Sequence, residues 1–129
     1  MNAFVIYMNH IPPEEYYASL PKKRCAALVV YPCPNNTVLI VEPLYRHDWL
    51  FPGGLVEGDE PLLAAAKRES IEEIGFEKVT DELLVVNYIK AFGHKTEAIH
   101  FVFKGEPLTQ EDIHSIRIPA DKLTSTKCV

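Results

Sequence analysis

The chain has 129 residues, of which 47% are hydrophobic, and a formal net charge of −5. This length and composition predict one folded domain over residues 1–129 and exclude an intrinsically disordered chain. The acidic balance, with no run of Lys or Arg longer than residues 22–24, argues against a nucleic-acid surface. No apolar run reaches spanning length, and the first residues lack the basic start of a signal sequence. We therefore expect a cytoplasmic protein that binds neither nucleic acid nor membrane.

The first forty residues predict a short helix followed by two strands. Residues 1–10 are apolar and fit either a strand or a terminal tail. Two prolines and two glutamates then start a helix that runs through Ser19. Residues 25–31 form a continuous apolar run typical of a buried strand, and residues 37–42 read as the next strand. Turn-forming residues separate the two runs, which predicts a hairpin over residues 25–42.

A glycine pair precedes the longest predicted helix. After a loop over residues 43–48, a short strand over residues 49–51 leads into Pro52-Gly53-Gly54. Two glycines ahead of an acidic helix let the backbone fold close to a ligand.

The stretch Gly54–Phe76 predicts a helix between two glycines. Asp59 or Glu60 is expected to cap its first turn, Pro61 suits the first helical position, and Gly75 suits a left-handed end. At about 100° per residue, four residues share one face, which we predict to be the core face: Leu63, Ala66, Ser70 and Ile74. The Ser70 hydroxyl is expected to bond to a carbonyl one turn earlier.

The C-terminal part of the chain predicts a second hairpin. Residues 83–89 and 98–103 are strand-like and flank a glycine-containing turn. Residues 105–113 read as a polar loop, and residues 114–118 read as a short strand.

Three glutamates crowd one turn of the long helix. Glu69, Glu72 and Glu73 lie at spacings that bring like charges side by side, near the helix end where the dipole disfavours anions. Clustered carboxylates are hard oxygen ligands suited to Mg²⁺ or Mn²⁺. The glutamates by themselves favour a different interpretation, a solvated acidic surface beside Lys67 and Arg68.

The wider stretch resembles the sequence box of Nudix hydrolases. Seven positions match that box, and chance would produce such a match on the order of once in a billion windows. Ser70 departs from it, because the box has an aliphatic residue there. The Trp and the Pro-Gly-Gly just before the box are also similar to many Nudix proteins. The matching positions are Gly54, Glu60, Arg68, Glu69, Glu72, Glu73 and Gly75.

The resemblance implies the fold. It predicts an α/β (α+β) domain with a Nudix-like mixed β-sheet sandwiched between helices. Residues 119–123 resemble the segment that leads into a final strand and helix, and the C-terminal helix is expected to be missing or reduced. Its absence would expose apolar surface, so the sequence predicts that a homodimer can form.

The resemblance also implies the chemistry. It predicts Mg²⁺-dependent hydrolysis, with Mn²⁺ as a substitute, of the diphosphate linkage in a nucleoside diphosphate joined to another moiety. Glu69 and Glu73 are expected to ligate metal directly, and Glu72 to ligate a second ion directly or through water. The Gly53 carbonyl is an additional predicted metal ligand. Arg68 is expected to orient the carboxylates.

Several roles stay open in the sequence. Glu69 or Glu72 can serve as general base, and Glu60 is expected to fix the glycine loop as a structural acceptor. Arg46 and Trp49 are candidates for contacts to phosphate and base, although a surface Arg and a core Trp fit equally well. No acid outside the box is assigned; the candidate region holds Glu111, Asp112, Asp121 and, at the expected place, Lys122. The alternative function is a Nudix-fold sensor that binds a nucleotide without cleaving it.

Overall fold

A computed structural model describes residues 10–129, so most of the predicted strand or tail over residues 1–10 lies outside the described residues. These described residues form three helices and seven strands. The helices are α1 (Pro13–Ser19), α2 (Leu62–Ile74) and α3 (Gln110–His114). The strands are β1 (Arg24–Val30), β2 (Pro32–Cys33), β3 (Thr37–Pro43), β4 (Gly53–Leu55), β5 (Val79–Ile89), β6 (Ala98–Gly105) and β7 (Leu123–Cys128). Within the described residues, no helix is long and apolar enough to cross a membrane.

A mixed four-stranded sheet contributes part of the core. Its order is β4-β1-β6-β5, with β1 parallel to β6 and the other pairs antiparallel. β1 lies between two strands, which explains why its sequence is continuously apolar. The predicted hairpin of residues 83–89 and 98–103 is confirmed, although β5 already begins at Val79. Helix α2 packs against this sheet, and the prediction of an α+β fold is confirmed.

The predicted hairpin over residues 25–42 is wrong. β1 pairs with β4 and β6, whereas β3 belongs to a second, three-stranded sheet of order β2-β3-β7. Pro32 has no N–H to continue the β1 ladder, and the chain crosses to the second sheet there. The tight turn lies between β2 and β3, where Asn35 and Asn36 adopt φ values of 63° and 58°.

Helix α2 ends as predicted but begins differently. Gly75 ends it in the left-handed conformation, with φ 89°. Pro61 is the N-cap residue, and no side chain caps the first turn, so the predicted cap by Asp59 or Glu60 is wrong. The Glu60 carboxylate instead accepts hydrogen bonds from the Glu57 N–H and from Arg68. The Glu60 carboxylate therefore bonds to Arg68, which is eight residues away, and does not cap the first turn of α2.

Ser70 is fully buried on the core face of α2, as predicted, but its hydrogen bonds differ from the prediction. Its hydroxyl donates to the Phe76 carbonyl at 2.8 Å and accepts from the Tyr31 hydroxyl at 2.6 Å. The Tyr31 oxygen in turn accepts from the Lys78 N–H at 3.1 Å. The buried hydroxyls of Ser70 and Tyr31 thus have hydrogen-bond partners, at a position where the Nudix box has an aliphatic side chain.

The predicted polar loop over residues 105–113 is only partly present, because Gly105 ends β6 and helix α3 begins at Gln110. Helix α3 begins with a capping box, in which Thr109 and Asp112 satisfy each other's backbone N–H groups. The sequence carried this signal, a Thr followed three residues later by an acid. The predicted strand over residues 114–118 is wrong, and the predicted final strand is present as β7.

Candidate active site

A cleft forms where α2 meets the glycine pair of β4. It has a volume of about 320 Å³, and the loop before β7 closes one side of it. The apolar part of its lining comes from β3 and from residues 44–51. Its polar lining consists of Gly53, Gly54, Glu69, Glu73, Asp121 and Lys122.

Glu73 is the most buried carboxylate of the cleft, with only 7% of its surface exposed. Its Oε1 accepts the Gly53 N–H at 3.0 Å, a contact between residues 20 apart in the chain. Burial and, to a smaller extent, the nearby Glu69 raise the pKa of Glu73 to about 7, against the lowering effect of that hydrogen bond. Among the ion pairs of the described residues, none includes Glu73. Its ionised form is therefore a buried charge that a cation would stabilise.

Glu69 lies directly against Gly54. A Cβ at position 54 would come within 2.6 Å of the Glu69 carboxyl carbon and Oε1, so only glycine leaves room for this carboxylate. Burial raises the pKa of Glu69, and the hydrogen bond from Arg68 opposes that effect. Two partly desolvated carboxylates thus share the floor of the cleft.

Arg68 ties the glycine loop to the acidic helix. Its Nε and Nη2 donate to the two oxygens of Glu60 at 2.7 and 3.0 Å, and Nη2 also donates to the Leu55 carbonyl at 3.0 Å. Its Nη1 donates to Glu69 at 2.9 Å and to Glu72 at 3.3 Å. The guanidinium lowers the pKa of Glu60 to about 2, and the Glu57 N–H adds to that shift. This geometry matches the predicted positions of Arg68 and Glu60, whereas their roles in a reaction stay predictions.

Glu72 stands at the rim of the cleft and is shared between two cations. Its Oε1 is 3.3 Å from Arg68 Nη1, and its Oε2 is 3.3 Å from Lys122 Nζ. Lys122 reaches it from the loop before β7, 50 residues away in the chain. Of the three acidic candidates outside the box, Asp121 lines the cleft beside Lys122, whereas Asp112 caps α3 and pairs with Lys78.

The donor set suits a hard divalent cation. Glu69 and Glu73 offer carboxylate oxygens in a cleft where burial disfavours their unneutralised charge. Between residues 10 and 129, no group of three or more His, Cys, Asp or Glu side chains is arranged to hold a metal ion together. Glu72 is instead paired with Arg68, which also donates to Glu69, and with Lys122.

A second groove, of about 850 Å³, adjoins the cleft and shares its glycine pair. Arg46 and Trp49, the predicted substrate contacts, both line it. Arg46 pairs with Asp48. Trp49 is only partly buried, with Lys127 Nζ 4.1 Å from its ring centroid, so it is not a core residue. Sequence reasoning missed three further aromatic side chains of this groove, because no local pattern marks them: Tyr45, Phe51 and Phe92.

Fold and cleft together define a class of protein, a small α+β domain in which an acidic helix and a glycine-rich strand build a cleft lined by carboxylates. Residues 22–123 match the family model described as NUDIX domain, and the chain therefore belongs to the NUDIX domain family. The predicted resemblance is confirmed.

Known proteins similar to this chain include a mitochondrial Nudix hydrolase 12 from Arabidopsis thaliana, which is 50% identical over 46 residues. Those residues are 36% of this chain, and they span only 23% of that curated relative.

Solved structures share the fold. A MutT NUDIX hydrolase from Burkholderia pseudomallei has a TM-score of 0.68 and 19% identity, over 84% of this chain and 83% of that one. The NUDIX domain of Shewanella oneidensis NrtR, solved with ADP ribose, has a TM-score of 0.68 and 15% identity, over 99% of this chain and 82% of that one.

Proposed function

We propose that the chain hydrolyses the diphosphate linkage of a nucleoside diphosphate joined to another moiety, with Mg²⁺ as its cofactor and Mn²⁺ as a substitute. One observation carries the proposal: Glu69 and Glu73 lie together in the cleft against the Gly53-Gly54 backbone, and Glu73 forms no ion pair among the described residues. A site that keeps a buried carboxylate unpaired loses stability unless a ligand neutralises it. A divalent cation bound to a diphosphate is such a ligand.

The residues of the cleft would have separate roles in metal binding and catalysis. Glu69, Glu73 and the Gly53 carbonyl would hold Mg²⁺ in the cleft, and Glu72 would hold a second ion at the rim. Bound Mg²⁺ neutralises phosphoryl oxygens and lowers the pKa of a bound water. Arg68 positions Glu69 and Glu72 from its anchor on Glu60. Glu69 or Glu72 then accepts the proton of the attacking water.

The substrate would extend from the cleft into the aromatic groove. The shared Gly53-Gly54 backbone joins the two cavities, so one ligand can occupy both. Trp49 offers a ring face for a base, and Arg46 offers a guanidinium for phosphate. The ADP ribose bound to the NrtR domain makes ADP ribose the first substrate to test here.

A nucleotide sensor is the second candidate, and the pairing of Glu72 favours it. Arg68 and Lys122 already neutralise Glu72 without any metal, which reduces the need for a second ion. A sensor would bind the nucleotide through the same cleft and groove and leave it intact. The cytoplasmic location stays a prediction for either function, and the Arabidopsis relative is named as mitochondrial.

The decisive experiment incubates the full chain with Mg²⁺ and a panel of nucleoside triphosphates, nucleotide sugars, ADP ribose and dinucleoside polyphosphates. Phosphate and nucleotide products are followed, and binding is measured in parallel by calorimetry. We expect hydrolysis of at least one diphosphate-linked substrate, lost in Glu73→Gln and kept in the exposed control Glu106→Gln. Binding without cleavage would establish the sensor, and hydrolysis that survives Glu73→Gln unchanged would refute the metal assignment.

A further inference from the structure

Strand β5 is an unprotected apolar edge. It ends the sheet order β4-β1-β6-β5, so among the described residues no strand pairs with its outer side. Six large apolar side chains of this strand are between 36% and 56% exposed: Leu83, Leu84, Val85, Val86, Tyr88 and Ile89. At about half exposure each, they present on the order of 400 Å² of apolar surface, which is in the range of functional patches on monomers.

The usual devices that protect an edge strand are nearly absent from β5. Natural edges carry central charges, prolines or a covering element. Here the strand contains no proline, and its charges lie only at its start, at Asp81 and Glu82, with Lys90 just after its end. Two register shifts interrupt the ladder, one between Val79 and Leu83 and one between Leu83 and Val85, so irregularity is confined to the first part of the strand, and residues 85–89 stay in continuous register with β6.

We infer that the β5 edge binds the β5 edge of a second copy of this chain, so that the two sheets join into one. A symmetric pair of antiparallel strands buries the apolar side chains of both copies and satisfies the backbone groups of both edges. The charges favour this partner, because antiparallel pairing about Val85 and Val86 places the acidic start of each strand against Lys90 of the other copy. Glu82 also lies 3.5 Å from Lys104 of its own chain, which leaves Asp81 as the freer partner.

The position of the edge also suits a functional dimer. β5 lies at the opposite end of the sheet from β4, which carries the glycine pair, so pairing through β5 leaves the cleft open. Ile89 and Lys90 also line the second groove, so the partner would lie beside the β5 end of that groove. The apolar patch supplies about half of the roughly 800 Å² per partner that a stable interface buries. The remainder would come from the strand backbones and the charged ends.

The test is the oligomeric state of the full chain, measured by sedimentation over a range of concentrations. We expect a monomer–dimer equilibrium and, in Val86→Lys, a dissociation constant raised about tenfold or more, since the change occurs twice at the centre of a symmetric interface. Ile71→Lys is the matched control, because Ile71 on α2 is 53% exposed and Val86 is 56% exposed. Circular dichroism verifies that both variants fold.

A charge exchange makes the test specific to the pairing. Lys90→Glu should weaken the dimer, and adding Asp81→Lys with Glu82→Lys should restore it, which a general loss of strand stability would not do. A chain that sediments as a monomer at every concentration overturns the inference and leaves the edge to a different protein or another segment of the chain. A dimer that Val86→Lys and Ile71→Lys affect equally also overturns it.

Discussion

Replacing Glu73 by Gln should stabilise the metal-free protein while it removes activity. Burial raises the pKa of Glu73 from 4.5 to about 7 in the folded chain. Such a carboxyl favours folding only while it is protonated, so the wild type loses stability as the pH rises from about 4.5 to about 7. At 1.36 kcal/mol per pKa unit, the loss at alkaline pH is roughly 3 kcal/mol. Gln stays neutral and still offers Oε1 to the Gly53 N–H, so it avoids this loss.

The assay is urea unfolding of both proteins in the presence of a chelator, at several values between about pH 5 and about pH 8. We expect the stability difference to be small at the acidic end, to grow in favour of Glu73→Gln up to about pH 7, and to stay constant above. Added Mg²⁺ should then stabilise the wild type by mass action and leave the variant unchanged. Glu106→Gln, an exposed carboxylate changed in the same way, is the control.

Two outcomes would refute the reasoning. A stability difference that does not vary with pH would mean that Glu73 is not a destabilised buried charge. Equal stabilisation of wild type and Glu73→Gln by Mg²⁺ would place the cation elsewhere in the protein.

Three further changes test the surrounding contacts. Gly54→Ala should displace the Glu69 carboxylate, because the new Cβ would approach it to 2.6 Å. We expect kcat to fall by on the order of a hundredfold, with little change in the urea midpoint. An unchanged kcat would show that this carboxylate is free to move. Glu60→Gln should lower kcat about tenfold, with KM little affected, because the guanidinium loses its charged anchor; steady-state kinetics decides, and a pure KM effect would contradict it. Ser70→Ala should cost about 1–3 kcal/mol of unfolding free energy, because the buried Tyr31 hydroxyl loses its acceptor; a neutral result in urea would mean that Tyr31 finds another partner.

The sequence was informative where local chemistry decides structure. Gly75 ends α2 because a left-handed residue at that point favours glycine, and the sequence placed it there. The alternation of apolar runs and turns located the β5–β6 hairpin. The capping box at Thr109 is another local signal, and it predicts the start of helix α3 within the segment whose polar composition indicates a loop.

The sequence by itself determined the family and the candidate site residues of α2, because the spacing of Arg68, Glu69, Glu72 and Glu73 is fixed along a single helix. Only the tertiary structure decided what these side chains contact. In the tertiary structure the Glu73 carboxylate accepts the Gly53 N–H, and Lys122 contacts Glu72, which is 50 residues away in the chain. Among the described residues, no strand pairs with the outer edge of β5. Such contacts join residues that are far apart in the chain. They depend on the packing of the whole domain, so no local sequence pattern predicts them.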